Sequence, residues 1–381
     1  MKESASNQGR TREIELDFLR GLAILAVVDF HDSVQILLYP LQMLGFPRLG
    51  WMGVDIFFVL SGFLVGGLLI KEWKISGRVD SKRFLIRRGF KIWPQYYFFL
   101  LLVVLTGHHS LRVMWPSFLH LQNYFVVVPH LWTLAVEEHA YLLLVAMVVI
   151  ASRYQMRKRT VLIVLAVLSA CVIVLRAVLA SRGLPYIMGT HTRIEAIFYG
   201  VMLALLFHCV PETFQRLQDR RWLWVGAILL ALGFLRLNLQ QGWALSATFD
   251  MANVIGISLL MLVYRHRPNL RRIWVYRVIA WIGLYSYGIY LWHVSAYAYV
   301  IRIGQHLPPR LAFAWGIIAE PLLGIAIGVT MTKLVEFPML RLRDRWFPRR
   351  IASEPTQIAT ADDTRRVILS ELRQVSAQAP R

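Results

Sequence analysis

Cysteine is nearly absent from this chain of 381 residues: Cys171 and Cys209 are the only two, and both fall in apolar stretches. A disulfide framework or a cysteine-held metal centre therefore has no support. Acidic residues are scarce as well, 22 against 42 Lys and Arg, for a formal net charge of +20. Such a balance can mark a nucleic-acid binder. Here the basic residues cluster in short segments between apolar runs, the arrangement that sets membrane topology, and nucleic-acid binding is discounted. The chain also lacks an HExxH motif, so no metal is expected, and it shows no convincing internal repeat. The first residues, MKESASNQGRTRE, are polar, and the apolar run behind them is too long and too charged for the core of a cleavable leader. No soluble catalytic domain is expected after the last apolar run.

What is present is apolar surface, with 57% hydrophobic and 13% aromatic residues and a mean hydropathy of +0.52. Runs near membrane-spanning length lie at about 15–39, 50–70, 84–106, 131–151, 160–180, 194–210, 222–239, 248–264, 278–301 and 312–335. The fold class they predict is all-α, a polytopic integral membrane protein of about ten transmembrane helices. Even-numbered connections are rich in Lys and Arg, as in the segment from Lys71 to Lys91, whereas 107–130 holds only Arg112. That asymmetry, with an even number of spans, places both termini in the cytoplasm. The expected division is a cytoplasmic tail over 1–14, a transmembrane domain over 15–345, and a cytoplasmic, disordered tail over 346–381.

The most informative run is ELDFLRGLAILAVVDFHDSVQILLY, from Glu15 to Tyr39, because it carries Asp17, Arg20, Asp29, His31 and Asp32. On an α-helix Arg20 and His31 differ by only about 20° in direction and lie roughly 16 Å apart along the axis, so they share a face at different depths. Asp17 sits one turn before Arg20 and can pair with it. Ionisable groups are costly in a span, so this face is expected to look at protein or water.

Other stretches carry polar groups whose plain reading competes with a functional one. In KRFLIRRGFKIWPQYY, the cations Arg87, Arg88 and Lys91 are either topogenic charge or a cradle for a polyanion such as the phosphates of coenzyme A. In HLWTLAVEEHAYLLL, Thr133, Glu137 and Tyr141 recur every four residues on one face, with Glu138, His130 and His139 nearby. In LYSYGIYLWHVSAYAY, Ser286, Tyr290 and His293 align, and a satisfied interior histidine is the ordinary reading. The glycines of GVDIFFVLSGFLVGG read as helix-packing positions, and Asp55 beside them as either interfacial or functional. Glu336 reads as pairing with a nearby arginine.

Taken in order, LDFLRGLAIL followed by His31, GVDIFFVLSGFL, RRGFKIWPQYY, LWTLAVEEHAYLL, YSYGIYLWH and the terminal EFP resemble the blocks of the membrane-bound acyltransferase-3 family, over nearly all of residues 15–345. The resemblance implies a multi-pass protein of the inner (plasma) membrane. It implies transfer of an acyl group, acetyl foremost, from cytoplasmic acyl-CoA to a hydroxyl of a saccharide or glycolipid at the outer face. It assigns catalysis to His31, support to Arg20 with Asp17, donor binding to Arg87, Arg88 and Lys91, and the acidic position to Glu137. We expect His31 to act as general base with Glu137 orienting it. The family commonly has Arg where this chain has Lys91, and Lys lacks the planar fork. The competing reading is a transporter or flippase for a polar or lipid-linked substrate, which would use the same charges as a path.

Overall fold

Apolar runs bounded by polar connections become helices because a helix satisfies its own backbone hydrogen bonds wherever water is excluded. A computed structural model describes residues 13–32, 37–239, 242–264 and 272–348. The tails expected over 1–14 and 346–381 therefore lie largely outside the described residues. The helices are α1 (Ile14–His31), α2 (Tyr39–Met43), α3 (Met52–Ser76), α4 (Ser81–Leu105), α5 (Leu111–Phe118), α6 (Trp132–Arg153), α7 (Lys158–Ser181) and α8 (Thr190–Arg193). They continue as α9 (Glu195–Cys209), α10 (Pro211–Asp219), α11 (Arg221–Arg236), α12 (Gly242–Val263), α13 (Trp274–Leu284), α14 (Ser286–Gly304), α15 (Pro309–Met331) and α16 (Phe337–Trp346). A 3-10 turn, Pro129–Leu131, leads into α6, and a π turn, Thr332–Glu336, joins α15 to α16. Among the described residues there is no strand.

Each of the ten apolar runs falls on one or more of these helices. Among the described residues, five segments are long and apolar enough to cross a membrane: Met52–Ser76, Pro129–Arg153, Lys158–Ser181, Gly242–Val263 and Pro309–Trp346. The pair α9 and α10, bent by 114°, makes a sixth if counted as one span. The remaining runs form helices that are shorter or more polar.

The first run does not stay helical to Tyr39. Helix α1 ends at His31, where Asp32 turns extended. Asp29, for which the sequence suggested no role, stabilises the chain beyond that end: its carboxylate accepts hydrogen bonds from the Leu37 N–H at 2.6 Å and the Leu38 N–H at 3.3 Å.

Two large apolar cores result. One is built mainly from α3, α6, α7 and α9, the other from α4, α14 and the inner face of α1. Helix α3 packs most intimately on α9, α14 on α15, and α1 on α13. Glycine permits the first of these contacts, since a Cβ on Gly62 would overlap the Ile197 carbonyl and one on Gly200 would overlap the Val59 carbonyl. Gly62→Val is therefore expected to destabilise the protein by about 3 kcal/mol or more, because backbone atoms cannot move aside as a flexible side chain could. Thermal unfolding of purified protein would show it, and an unchanged midpoint would contradict this packing.

A buried ionic group ties α3, α7, α9 and α12 together. Arg176 of α7 pairs with Glu195 of α9 and, at 2.5 Å, with Asp250 of α12. Arg193, just before α9, pairs with Asp55 of α3 at 2.5 Å and lies over the Phe249 ring at 4.0 Å. Asp55 is thus a fully buried ion-pair partner and not an interfacial carboxylate.

Candidate active site

Between the two cores lies a cavity of about 120 Å³. Its walls come from α1, α3, α4, α6, α13 and α14. Polar groups reach it from five of these helices: Arg20 from α1, Ser61 from α3, Arg88 and Lys91 from α4, Thr133, Glu137 and Tyr141 from α6, and Ser286 and Tyr290 from α14. The four-residue spacing of Thr133, Glu137 and Tyr141 does place all three on one wall, as the helical period requires.

Hydrogen bonds give that wall a direction. Tyr141 donates to Glu137 Oε2 at 2.8 Å, so Ser61 Oγ, also at 2.8 Å, donates to the Tyr141 oxygen. Glu137 is thereby held against the Ser61–Tyr141 pair. Thr133 donates to the Tyr290 hydroxyl at 2.6 Å, and Tyr290 donates to the His130 carbonyl.

The three basic residues of the α4 segment do not share one fate. Arg87 points away to Asp344 of α16 at 3.0 Å and to the Phe347 carbonyl. Lys91 pairs with buried Glu336, which the π turn presents to it, so the partner of Glu336 is this lysine rather than an arginine. Arg88 sits between the Phe84 and Tyr141 rings, 5.7 Å from each centroid. Among the described residues, no carboxylate lies within ion-pair distance of it. Arg20 has Asp17 at 3.8 Å and is about one-third exposed. The cavity therefore keeps the charges of Arg20 and Arg88 opposite one acid, Glu137.

His31 stands apart from this cavity, exposed at the end of α1. Its Nδ1 lies 2.9 Å from the Val27 carbonyl and 3.4 Å from Nε2 of His293 on α14. The His31 and His293 rings meet edge-on, 5.0 Å between centroids, and His130 approaches His293 at 5.7 Å. Three histidines thus converge from α1, the turn before α6, and α14. Among the described residues, no group of His, Cys, Asp and Glu is arranged to hold a metal ion. Tyr290 belongs to both regions, since it lines the cavity and lies 5.9 Å from the His293 ring.

The structure therefore brings Arg20, Arg88, Lys91 and Glu137 to one cavity, turns Arg87 away to Asp344 of α16, and puts His31 in a different cluster from Glu137. Among the described residues, the His31 ring meets Phe30, the Val27 carbonyl and His293. Sequence reasoning placed Ser286, Tyr290 and His293 on one face, which is correct, but nothing in the spacing said that this face meets α1. The loop over 107–130 packs inward rather than standing free. Tyr96 donates to the Ser117 carbonyl at 2.7 Å, and the Gln122 amide donates to the Leu131 carbonyl at 3.0 Å.

An all-helical, membrane-compatible chain with a cationic cavity and a histidine on one helix face narrows the class to a small set, and comparison resolves it. Residues 13–333 match the family described as an acyltransferase domain, and the chain belongs to this acyltransferase-3 family. It is similar to the peptidoglycan O-acetyltransferase OatA of Listeria monocytogenes, at 24% identity over 356 residues, 85% of this chain and 55% of the relative. It is also similar to a protein named "Putative peptidoglycan O-acetyltransferase YrhL" of Bacillus subtilis, at 24% over 369 residues, 88% of this chain and 56% of the relative. A "Putative O-acetyltransferase" of Staphylococcus aureus strain COL is 26% identical over 321 residues, 75% of this chain and 50% of the relative. The chain thus spans about half the length of the curated relatives it matches. No solved structure matches it.

Proposed function

We propose that this protein is a membrane O-acyltransferase that moves an acyl group, acetyl foremost, from cytoplasmic acyl-CoA to a hydroxyl of a saccharide or glycolipid at the outer face. In this reading it crosses the inner (plasma) membrane about ten times with both termini in the cytoplasm. The observation that carries the proposal is the placement of Arg20 and His31 on one face of α1, with the cationic cavity at one end and the exposed imidazole at the other. Eleven positions of helix separate charge from base by roughly 16 Å. A donor suited to that spacing has its anionic groups and its reactive carbon at opposite ends of a flexible arm, as an acyl-CoA thioester does. The acetyltransferase names of the relatives agree with it.

The chemistry asked of each residue is then simple. His31 takes the proton of the acceptor hydroxyl as its oxygen attacks the thioester carbon. The carbon–sulfur bond breaks, and the proton passes to the departing thiolate. Arg88 and Arg20 attract the phosphates of the donor, Asp17 steadies Arg20, and Lys91 and Arg87 shape the α4 segment through their own carboxylates. Glu137, fixed by Tyr141, sets the polarity of the cavity wall beside Arg88.

The test of function is mass spectrometry of surface polysaccharides and lipids from a deletion strain complemented with the native gene. An ester-sized mass that disappears on deletion and returns with the gene supports acyl transfer, whereas an unchanged acyl profile favours a transporter. A narrower prediction concerns the donor. Arg88→Gln removes a charge-assisted contact and is expected to raise the KM for acyl-CoA about tenfold, a loss of about 1.5 kcal/mol, with kcat less affected. Vesicles and labelled acetyl-CoA would measure it; an unmoved KM would remove Arg88 from donor binding.

A further inference from the structure

Backbone carbonyls fix the protons of the two histidines that meet between α1 and α14. His293 is fully buried, and its Nδ1 lies 3.1 Å from the Ile289 carbonyl and 2.8 Å from the Tyr290 carbonyl. A carbonyl oxygen can only accept, so Nδ1 carries the proton of a neutral His293 and Nε2 is left as a lone pair. The same logic holds on α1. His31 Nδ1 faces the Val27 carbonyl at 2.9 Å, so it too is the protonated nitrogen. The 3.4 Å approach of His293 Nε2 to His31 Nδ1 is then a donor meeting an acceptor. Any other tautomer of either ring would set a lone pair against a carbonyl oxygen.

We infer that His293 is a positioning residue for the reaction: its Nε2 takes the longer branch of a three-centre bond from His31 Nδ1–H, shared with the Val27 carbonyl, and so orients the His31 ring with Nε2 unprotonated, as the atom that receives the acceptor's proton. This rests on the acyltransferase reading given above. It transfers to His293 the orienting role that the sequence suggested for Glu137, which the structure places against Tyr141 instead. The need for such a partner is physical. His31 is the last residue of its helix and its side chain reaches solvent, so packing alone does not enclose its ring. The Val27 carbonyl alone fixes a distance. The edge-on contact with His293, at 70° between ring planes, fixes the orientation.

Nitrogen-15 NMR of histidine-labelled protein in lipid bilayers tests the arrangement directly, with the His31 signals assigned by their loss in His31→Ala. The expected result is a protonated Nδ1 and an unprotonated Nε2 on His31 in the native protein. His31 protonated at Nε2 would overturn the proposal whatever the variants do. In assays, His293→Leu is expected to lower kcat roughly 10–100-fold with both KM values near native. His293→Gln, which returns an acceptor oxygen near the position of Nε2, is expected to recover most of that loss. Equal activity in Leu, Gln and native proteins would overturn it, as would a loss that appears only in KM. If the native protein transfers no acyl group, the functional reading fails on its own, and the His31 signals in His293→Leu, expected to show a mixture of tautomers, still decide whether His293 holds the ring; native-like signals there would overturn it.

Discussion

His31→Ala is expected to lower acyl transfer at least a hundredfold while the protein accumulates and unfolds as the native form does. General-base catalysis typically contributes about 10²–10⁴-fold, and neither of the other two histidines of the cluster is placed to take over from His31. His293 cannot, because its ring is fully buried and closed to an acceptor from outside. His130 cannot either, since it is buried with Nε2 on the Leu291 carbonyl. The stability half of the expectation follows from exposure: the His31 ring ends a helix and fills no core position. Loss of ester from surface glycans in a strain carrying the variant, at native protein levels, is the supporting result. Full transfer by well-accumulated His31→Ala would end the case for this residue.

The second large effect concerns folding. Arg193→Leu strands the fully buried carboxylate of Asp55, whose ion-pair partner is the Arg193 guanidinium at 2.5 Å. Removing one member of a buried pair typically costs about 3–5 kcal/mol, because the remaining charge is neither hydrated nor compensated. Most of the folded protein should be lost. The double variant Asp55→Leu/Arg193→Leu should regain much of the stability, since replacing both charges removes the stranded group. Thermal unfolding of the single and double variants decides the matter, and equal destabilisation in both would mean that packing on Phe249, not charge, is what Arg193 supplies.

How much of this was legible beforehand depended on the range of the interaction. Periodicity is local, so each apolar run corresponds to helix, and Thr133, Glu137 and Tyr141 do share a wall. Glycine in α3 did signal packing, although its counterpart Gly200 lies on α9, far along the chain. Pairings between distant helices carry no local signature. Lys91 and Glu336, or Asp55 and Arg193, are ordinary polar residues until the fold brings them together. The end of α1 was misjudged because the apolar pattern continues through Gln35 to Tyr39, while Asp29 instead anchors the chain after the helix at Leu37 and Leu38. The histidine cluster was hidden for the same reason as the ion pairs: His31, His130 and His293 belong to three separate stretches.

The ties from α4 to the last helix bear on the order in which the protein can be made. Lys91 meets Glu336, and Arg87 meets Asp344, across separations of 245 and 257 positions. A ribosome releases residues in sequence, so the basic segment must wait until α15 has been made before Glu336 exists, and until α16 is made before Asp344 does. Until then Lys91 and Arg87 are cations without these partners, beside a cavity whose other walls can already have formed. This corner therefore cannot be completed before Glu336 and Asp344 are made, and a nascent chain cut before Glu336 would present a more strongly positive cavity than one that carries it.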